Sequence, residues 1–174
     1  MPIRNFLFIM VLFAAVSAVA QPQVYNFKEL QRFLPEGDFG AYRPGSPTGE
    51  TSSMMGFSTS WAQIIYRLDT NKVTSTISVK ITDMLSIPSY LSLFNDIDKE
   101  TATGYERTVF YKTIRILETF NSASHDGKLQ FPIGRRFLVE LTGTGIDSTA
   151  ILYEMLDRMN LEGLARLTQP SESP

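Results

Sequence analysis

The chain contains no cysteine and only one histidine, His125, in its 174 residues. Without thiols no disulfide forms, no thiolate binds a metal, and the residue on which a bacterial lipid anchor is built is missing. A single histidine excludes a histidine-rich metal centre. It would also have to serve any Ser-His-Asp triad, yet it falls between Ser124 and Asp126 in a predicted hairpin loop, where no buried carboxylate would fix its tautomer. No metal, cofactor or catalytic residue is therefore expected. Long apolar runs are scarce as well. The longest, Phe6 to Val16, is short of the roughly 20 residues needed to cross a bilayer.

What is present is ordinary globular material, 43% hydrophobic and 20% charged with a formal net charge of −2. One domain is expected over residues 21–168, large enough to bury about two thirds of its unfolded surface without crosslinks. Before it, Arg4, an apolar run and the small residues Ala18, Val19 and Ala20 follow signal-peptide grammar, with cleavage predicted after Ala20. The mature chain is then expected in the periplasm or outside the cell, without stable membrane insertion. Residues 169–174 are polar and read as a disordered tail.

Hydrophobic periodicity supplies the elements. Asn26 with Glu29 three residues on predicts a capped helix carrying Phe27, Leu30, Phe33 and Leu34. Strands are expected near Thr48 to Met55 and at Trp61 to Leu68. The clearest strand has Ile77, Val79 and Ile81 alternating with Thr76, Ser78, Lys80 and Thr82, so one face is buried and the other wet. That alternation marks an antiparallel sheet, because a parallel one needs apolar residues on both faces. Ser86 predicts a helix cap with Ile87, Leu91 and Phe94 at helical spacing, closed by the acidic stretch Asp96 to Glu100.

Further strands are predicted at Tyr105 to Tyr111, Ile114 to Asn121, Lys128 to Ile133 and Arg135 to Thr142. Asp126-Gly127 reads as a hairpin turn, and Pro132 places its strand at an edge or bulge. Asp147 is the expected cap of a helix running to Met159, followed by a turn over Leu161 to Leu167. The fold class is α+β, a single antiparallel sheet packed with amphipathic helices.

Three further patterns bear on chemistry. Gly143-Thr144-Gly145 lacks the third glycine of a dinucleotide loop, where Ser148 stands, so a turn is expected. Asp96, Asp98 and Glu100 open like a calcium loop but meet Thr101 where glycine and Arg107 where glutamate are required. Lastly, basic residues outnumber acidic ones between Lys99 and Arg136. If Arg107, Arg115 and Arg136 share a sheet face, an anionic partner could bind there. The excess is too small to suggest nucleic acid.

Gly104, Tyr105, Glu106 and Arg107, then Arg136, Phe137, Val139 and Glu140, then Gly143, Gly145 and Asp147 resemble the C-terminal pattern of a group of exported bacterial α+β proteins without assigned activity. At the level of fold, helices before, between and after a sheet are similar to PsbP/Mog1-type α/β/α sandwiches. That resemblance implies a binding and assembly scaffold and supplies no catalytic residues. The expected function is a non-enzymatic binding or accessory protein of the bacterial cell envelope, acting on an envelope protein or an anionic ligand. The alternative is a hydrolase-type enzyme with carboxylates and hydroxyls on the sheet face.

Overall fold

A computed structural model describes residues 23–54, 57–70, 74–85 and 95–168. The expected leader, the helix capped by Ser86 and the tail from 169 lie outside the described residues. The first element is helix α1 (Phe27–Gln31). The Asn26 side chain accepts from the Lys28 N–H at 3.0 Å, and Glu29 accepts from the Asn26 N–H at 3.1 Å, the reciprocal cap its spacing predicts. Leu30 of this helix and Leu34, which follows its end, are buried; the helix is shorter than the spacing through Leu34 predicts.

Strands β1 (Arg43–Pro44), β2 (Thr48–Met54), β3 (Phe57–Asp69), β4 (Thr74–Asp83), β5 (Asp98–Thr101), β6 (Gly104–Tyr111), β7 (Ile114–Asn121), β8 (Asp126–Ile133) and β9 (Phe137–Thr144) follow. They build one sheet in the order β1-β3-β4-β9-β8-β7-β6-β5, with β2 also pairing β3, and every pairing is antiparallel. Helices α2 (Ala150–Leu156) and α3 (Leu161–Arg166) close the described chain. The fold is thus α+β, mostly antiparallel sheet with few short helices.

Alternation does the sorting. Ile77, Val79 and Ile81 are fully buried, and register places them beside Tyr66, Ile64 and Ala62 of β3 and Gly143, Leu141 and Val139 of β9. Leu129 and Phe131 of β8 continue the same layer. Leu152, Met155 and Leu156 of α2 and Leu164 of α3 complete the core from above. Each fully buried Leu or Ile contributes about 1.5–3 kcal/mol, which is what joins the layers. All three described helices lie on this helix face. No described helix packs on the opposite face, termed the open face, although Leu138 on that side is buried.

Several local expectations are corrected by tertiary pairing. Asp98, Lys99 and Glu100 form edge strand β5 rather than a helix exit, because the ladder with β6 sets Lys99 opposite Glu106 and Asp98 opposite Arg107. Asp126 and Gly127 are the first residues of β8, and the turn is 122–125, with His125 at φ 57°. Gly127 is needed for packing, since a Cβ there would meet Ile146 at 2.9 Å. Pro132 sits in an interior strand. Yet the β7–β8 ladder ends at Leu117 opposite Gln130, so Pro132 has no β7 partner to supply with a donor.

The last helix also starts later than Asp147 suggests. Asp147 is exposed, and α2 begins after Thr149, whose hydroxyl is drawn inward instead of capping. The helix ends at Leu156, and Asn160 caps α3 by accepting from the Gly163 N–H at 2.9 Å. The strand expected from Arg135 begins at Phe137 because 134–136 make the hairpin turn, with Gly134 at φ 59°.

Candidate functional site

Two carboxylates lie on the buried side of the sheet, and the alternation itself puts them there. Glu118 shares the parity of Ile116 and Phe120 in β7, and Asp83 continues Ile77, Val79 and Ile81 in β4. A charge at a buried strand position is a readable signal, and it is the one that composition and motif searches pass over. Glu118 is 2% exposed. Its oxygens accept from Tyr105 Oη at 2.7 Å, Arg107 Nε at 3.1 Å, Tyr153 Oη at 3.1 Å and the Thr149 hydroxyl. Tyr105 and Arg107 come from β6, Thr149 and Tyr153 from the start of α2.

This hub ties the β5–β7 end of the sheet to α2. Burial alone would raise the Glu118 carboxyl. Hydrogen bonds from Arg107, Thr149 and Tyr105, with the Arg107 charge, outweigh it and hold the carboxyl below its ordinary range. The same burial, together with the nearby carboxylate, raises the Tyr153 hydroxyl, and Tyr105 moves the same way. Arg107 packs across the Tyr105 ring at 4.3 Å. With four donors on two oxygens, Glu118 has no lone pair directed at a substrate, so its arrangement is that of a fastener.

Asp83 makes the second fastener. Arg136 binds it through Nε at 2.9 Å and Nη2 at 2.8 Å, the two-pronged geometry that suits a guanidinium, while the Tyr25 and Leu85 N–H groups donate at 2.8 and 3.0 Å. The guanidinium also lies 4.4 Å from the Tyr25 ring, and Tyr25 Oη reaches the Leu167 carbonyl at 3.2 Å. The segment entering the domain, the end of β4 and the end of α3 are thereby held at one point. A groove of about 320 Å³ between the β6–β7 turn and α3, lined by Tyr111, Lys112, Ile114, Asp157, Met159 and Leu161, touches neither carboxylate.

The three arginines singled out from sequence do not share a face. Arg107 lies on the helix face against Glu118, and Arg136 lies in the β8–β9 turn against Asp83. Arg115 alone points to the open face, where Nη2 meets Asp96 at 2.5 Å. The glycines are equally structural. Gly143 belongs to β9, and a Cβ on it would strike Ile146 at 2.5 Å. Gly145 has φ +65° with the Thr74 carbonyl 2.6 Å from a Cβ position. His125 and Asp147 are exposed and 3.9 Å apart.

The open face has a different character. Register aligns Gln63, Lys80, Glu140, Gln130, Leu117 and Thr108 in one row across six strands. The neighbouring row is Ile65, Ser78, Thr142, Lys128, Thr119 and Glu106. These side chains are half-buried; Thr108 is committed, donating to the Asn95 carbonyl at 2.6 Å and accepting from the Ile97 N–H at 3.3 Å, and the others are held more loosely. Gln63 donates to Ser78 at 2.6 Å, Gln130 to Glu140 at 3.3 Å, and Lys128 meets Glu140 at 2.9 Å. Lys80 lies 5.2 Å from the ring of Trp61, the chain's single tryptophan, and makes no ion pair among the described residues.

Comparison of this chain with protein-family models, with curated proteins and with solved structures finds no match, so the two fasteners and the open face are what a functional reading rests on.

Proposed function

We propose that this chain is an exported, non-enzymatic binding or accessory protein of the bacterial cell envelope, periplasmic or secreted, with its leader removed after Ala20. The observation that carries the reading is the contrast in commitment between the two faces. The carboxylates and hydroxyls a hydrolase would need, Glu118 with Thr149 and Tyr153, are spent on one another. The amides, hydroxyls and lysines of the open face are presented side by side with capacity left over. On that side Arg67, Lys80, Lys99, Lys128 and Arg115 stand with Glu50, Asp96, Glu106 and Glu140, and Arg67, Lys80 and Lys99 make no ion pair among the described residues, which supports an anionic partner.

Of the arginines proposed from sequence, Arg115 is the contact residue in this reading. Arg107 and Arg136 contribute by holding the sheet. The relation to PsbP/Mog1-like scaffolds belongs to the same proposal, at the level of fold alone.

The test is capture from a cell-envelope fraction with the purified protein at low and high salt. Capture should fall with salt and fail in a Lys80→Glu, Lys128→Glu double variant. Arg115→Ala should weaken it. Undiminished capture by all of these would overturn the reading. Terminal sequencing of the exported protein, expected to begin at Gln21, tests the leader.

A further inference from the structure

We propose that the outer edge of β2 is a self-pairing surface, the seam at which a second copy of this chain joins the sheet. A strand edge is an unfinished ladder, and its free N–H and C=O groups recruit another strand unless something prevents it. Three strands, β1, β2 and β5, have an outer side. β5 is guarded by Asp98, Lys99 and Glu100 among its four residues, and β1 consists of Arg43 and Pro44. β2 runs for seven residues, Thr48–Met54, with no lysine, arginine or proline and with Glu50 as its one charge. All of them except Gly49 and Ser52 are exposed.

Register shows which backbone groups are free. The Gly45 N–H donates to the Ile65 carbonyl at 2.7 Å, so the odd-numbered residues of β3 turn their N–H and C=O toward this edge. Their partners in β2 are Thr48, Glu50, Ser52 and Met54, which spend their own groups on β3. Gly49, Thr51 and Ser53 therefore point N–H and C=O outward, and those groups have no partner among the described residues. A second β2, laid antiparallel about a two-fold axis through Thr51, sets Thr51 against its own copy and Gly49 against Ser53 of the other chain in both directions. That makes three pairs of two bonds each, about six in all. The register centred on Glu50 would set two carboxylates face to face and bring Pro47, which has no N–H, against Ser53. The register centred on Ser52 would leave Gly49 beyond the end of the partner strand.

Charge agrees with the register centred on Thr51. Glu50 then stands opposite Ser52 of the second copy, so no like charges meet. Met54, 69% exposed, comes to lie beside Thr48 of the other chain and gains cover there. A foreign peptide would satisfy the same backbone groups, but it also needs side-chain pockets to be selected, and β2 offers serines and threonines instead. One strand edge buries less than the roughly 1,200–2,000 Å² of a stable interface, so the dimer is a reversible one. The pairing uses backbone groups and does not depend on the proposed envelope partner. Either inference can fail alone.

The test is sedimentation velocity of the purified protein over about a hundredfold range of concentration, where a monomer–dimer equilibrium is expected. Ser53→Pro removes an outward N–H that β3 does not use and should weaken the dimer about tenfold. Ser52→Glu places a carboxylate opposite Glu50 of the second copy and should weaken it several-fold, whereas Ser52→Lys should tighten it. These two surface changes of opposite sign keep the test valid if Ser53→Pro misfolds. Because the chain has no cysteine, oxidation can read the register. Thr51→Cys should crosslink to its own copy, since the Cα atoms of a hydrogen-bonded pair lie about 5.5 Å apart, and Ser53→Cys should not. A monomer at every concentration, a dimer indifferent to both Ser52 variants, or crosslinking of Ser53→Cys as readily as Thr51→Cys would each overturn the inference.

Discussion

Both faces of the sheet carry carboxylates and cations and use them in opposite ways. On the helix face, Glu118 and Asp83 are sealed among donors, and each ion pair with its arginine is part of the joinery. On the open face, Lys128 and Glu140 form an ion pair at 2.9 Å that remains half in solvent. Water decides the difference. A buried charge stripped of one partner costs several kcal/mol, so every donor around it is obligatory, whereas an exposed pair is worth about 0–1 kcal/mol and its members can exchange partners. In the proposed reading, binding is assigned to the face where the energetic commitment is smallest.

Substitutions should expose this asymmetry. The largest effect is expected at Asp83→Ala, which leaves a guanidinium only 18% exposed without its carboxylate and frees the entering segment, and should cost about 3–5 kcal/mol in urea unfolding. Glu118→Ala follows at about 3 kcal/mol, because the hydroxyls of Tyr105, Thr149 and Tyr153 lose their acceptor together. Gly143→Ala should cost about 1–3 kcal/mol by forcing a methyl group against Ile146 and Leu152. Smallest is Lys128→Ala, expected within about 0.5 kcal/mol of the parent. An open-face variant as damaging as Asp83→Ala would erase the distinction.

Acidity sharpens the same comparison. The folded Glu118 carboxyl lies below its ordinary value of 4.5, so the unfolded chain binds its proton first. Its stabilisation is present above that value and is lost as pH falls through the depressed folded value. Glu118→Gln should flatten the stability profile in that acid window, while Glu140→Gln on the open face should leave it nearly unchanged. At the alkaline end, Tyr105 and Tyr153 are raised from 10.0. Their contribution is full below that value and fades as pH climbs through the raised folded values. Tyrosinate absorbance should accordingly lag in the native protein and jump on unfolding.

Much of the architecture was legible in the chain. The capping residues Asn26 and Glu29 located α1, and the alternation around Ile77 to Ile81 located both the strand and its buried side, because these depend on neighbours within a few residues. Asp126-Gly127 and Asp147 misled for the complementary reason. Each has a strong local preference, and each was overruled by a distant contact, Gly127 by Ile146 and the α2 start by the pull of Glu118 on Thr149.

By itself the sequence determined the α+β class, the antiparallel pairing and which side of each strand is greasy, since a period of two leaves no other way to hide those residues. Only the tertiary structure decided which charges meet. Thr149 lies 31 residues from Glu118, and Arg136 lies 53 from Asp83. No local pattern encodes such a partner, because it is chosen by strand order and helix placement, and the cost of burying a charge then makes the choice binding.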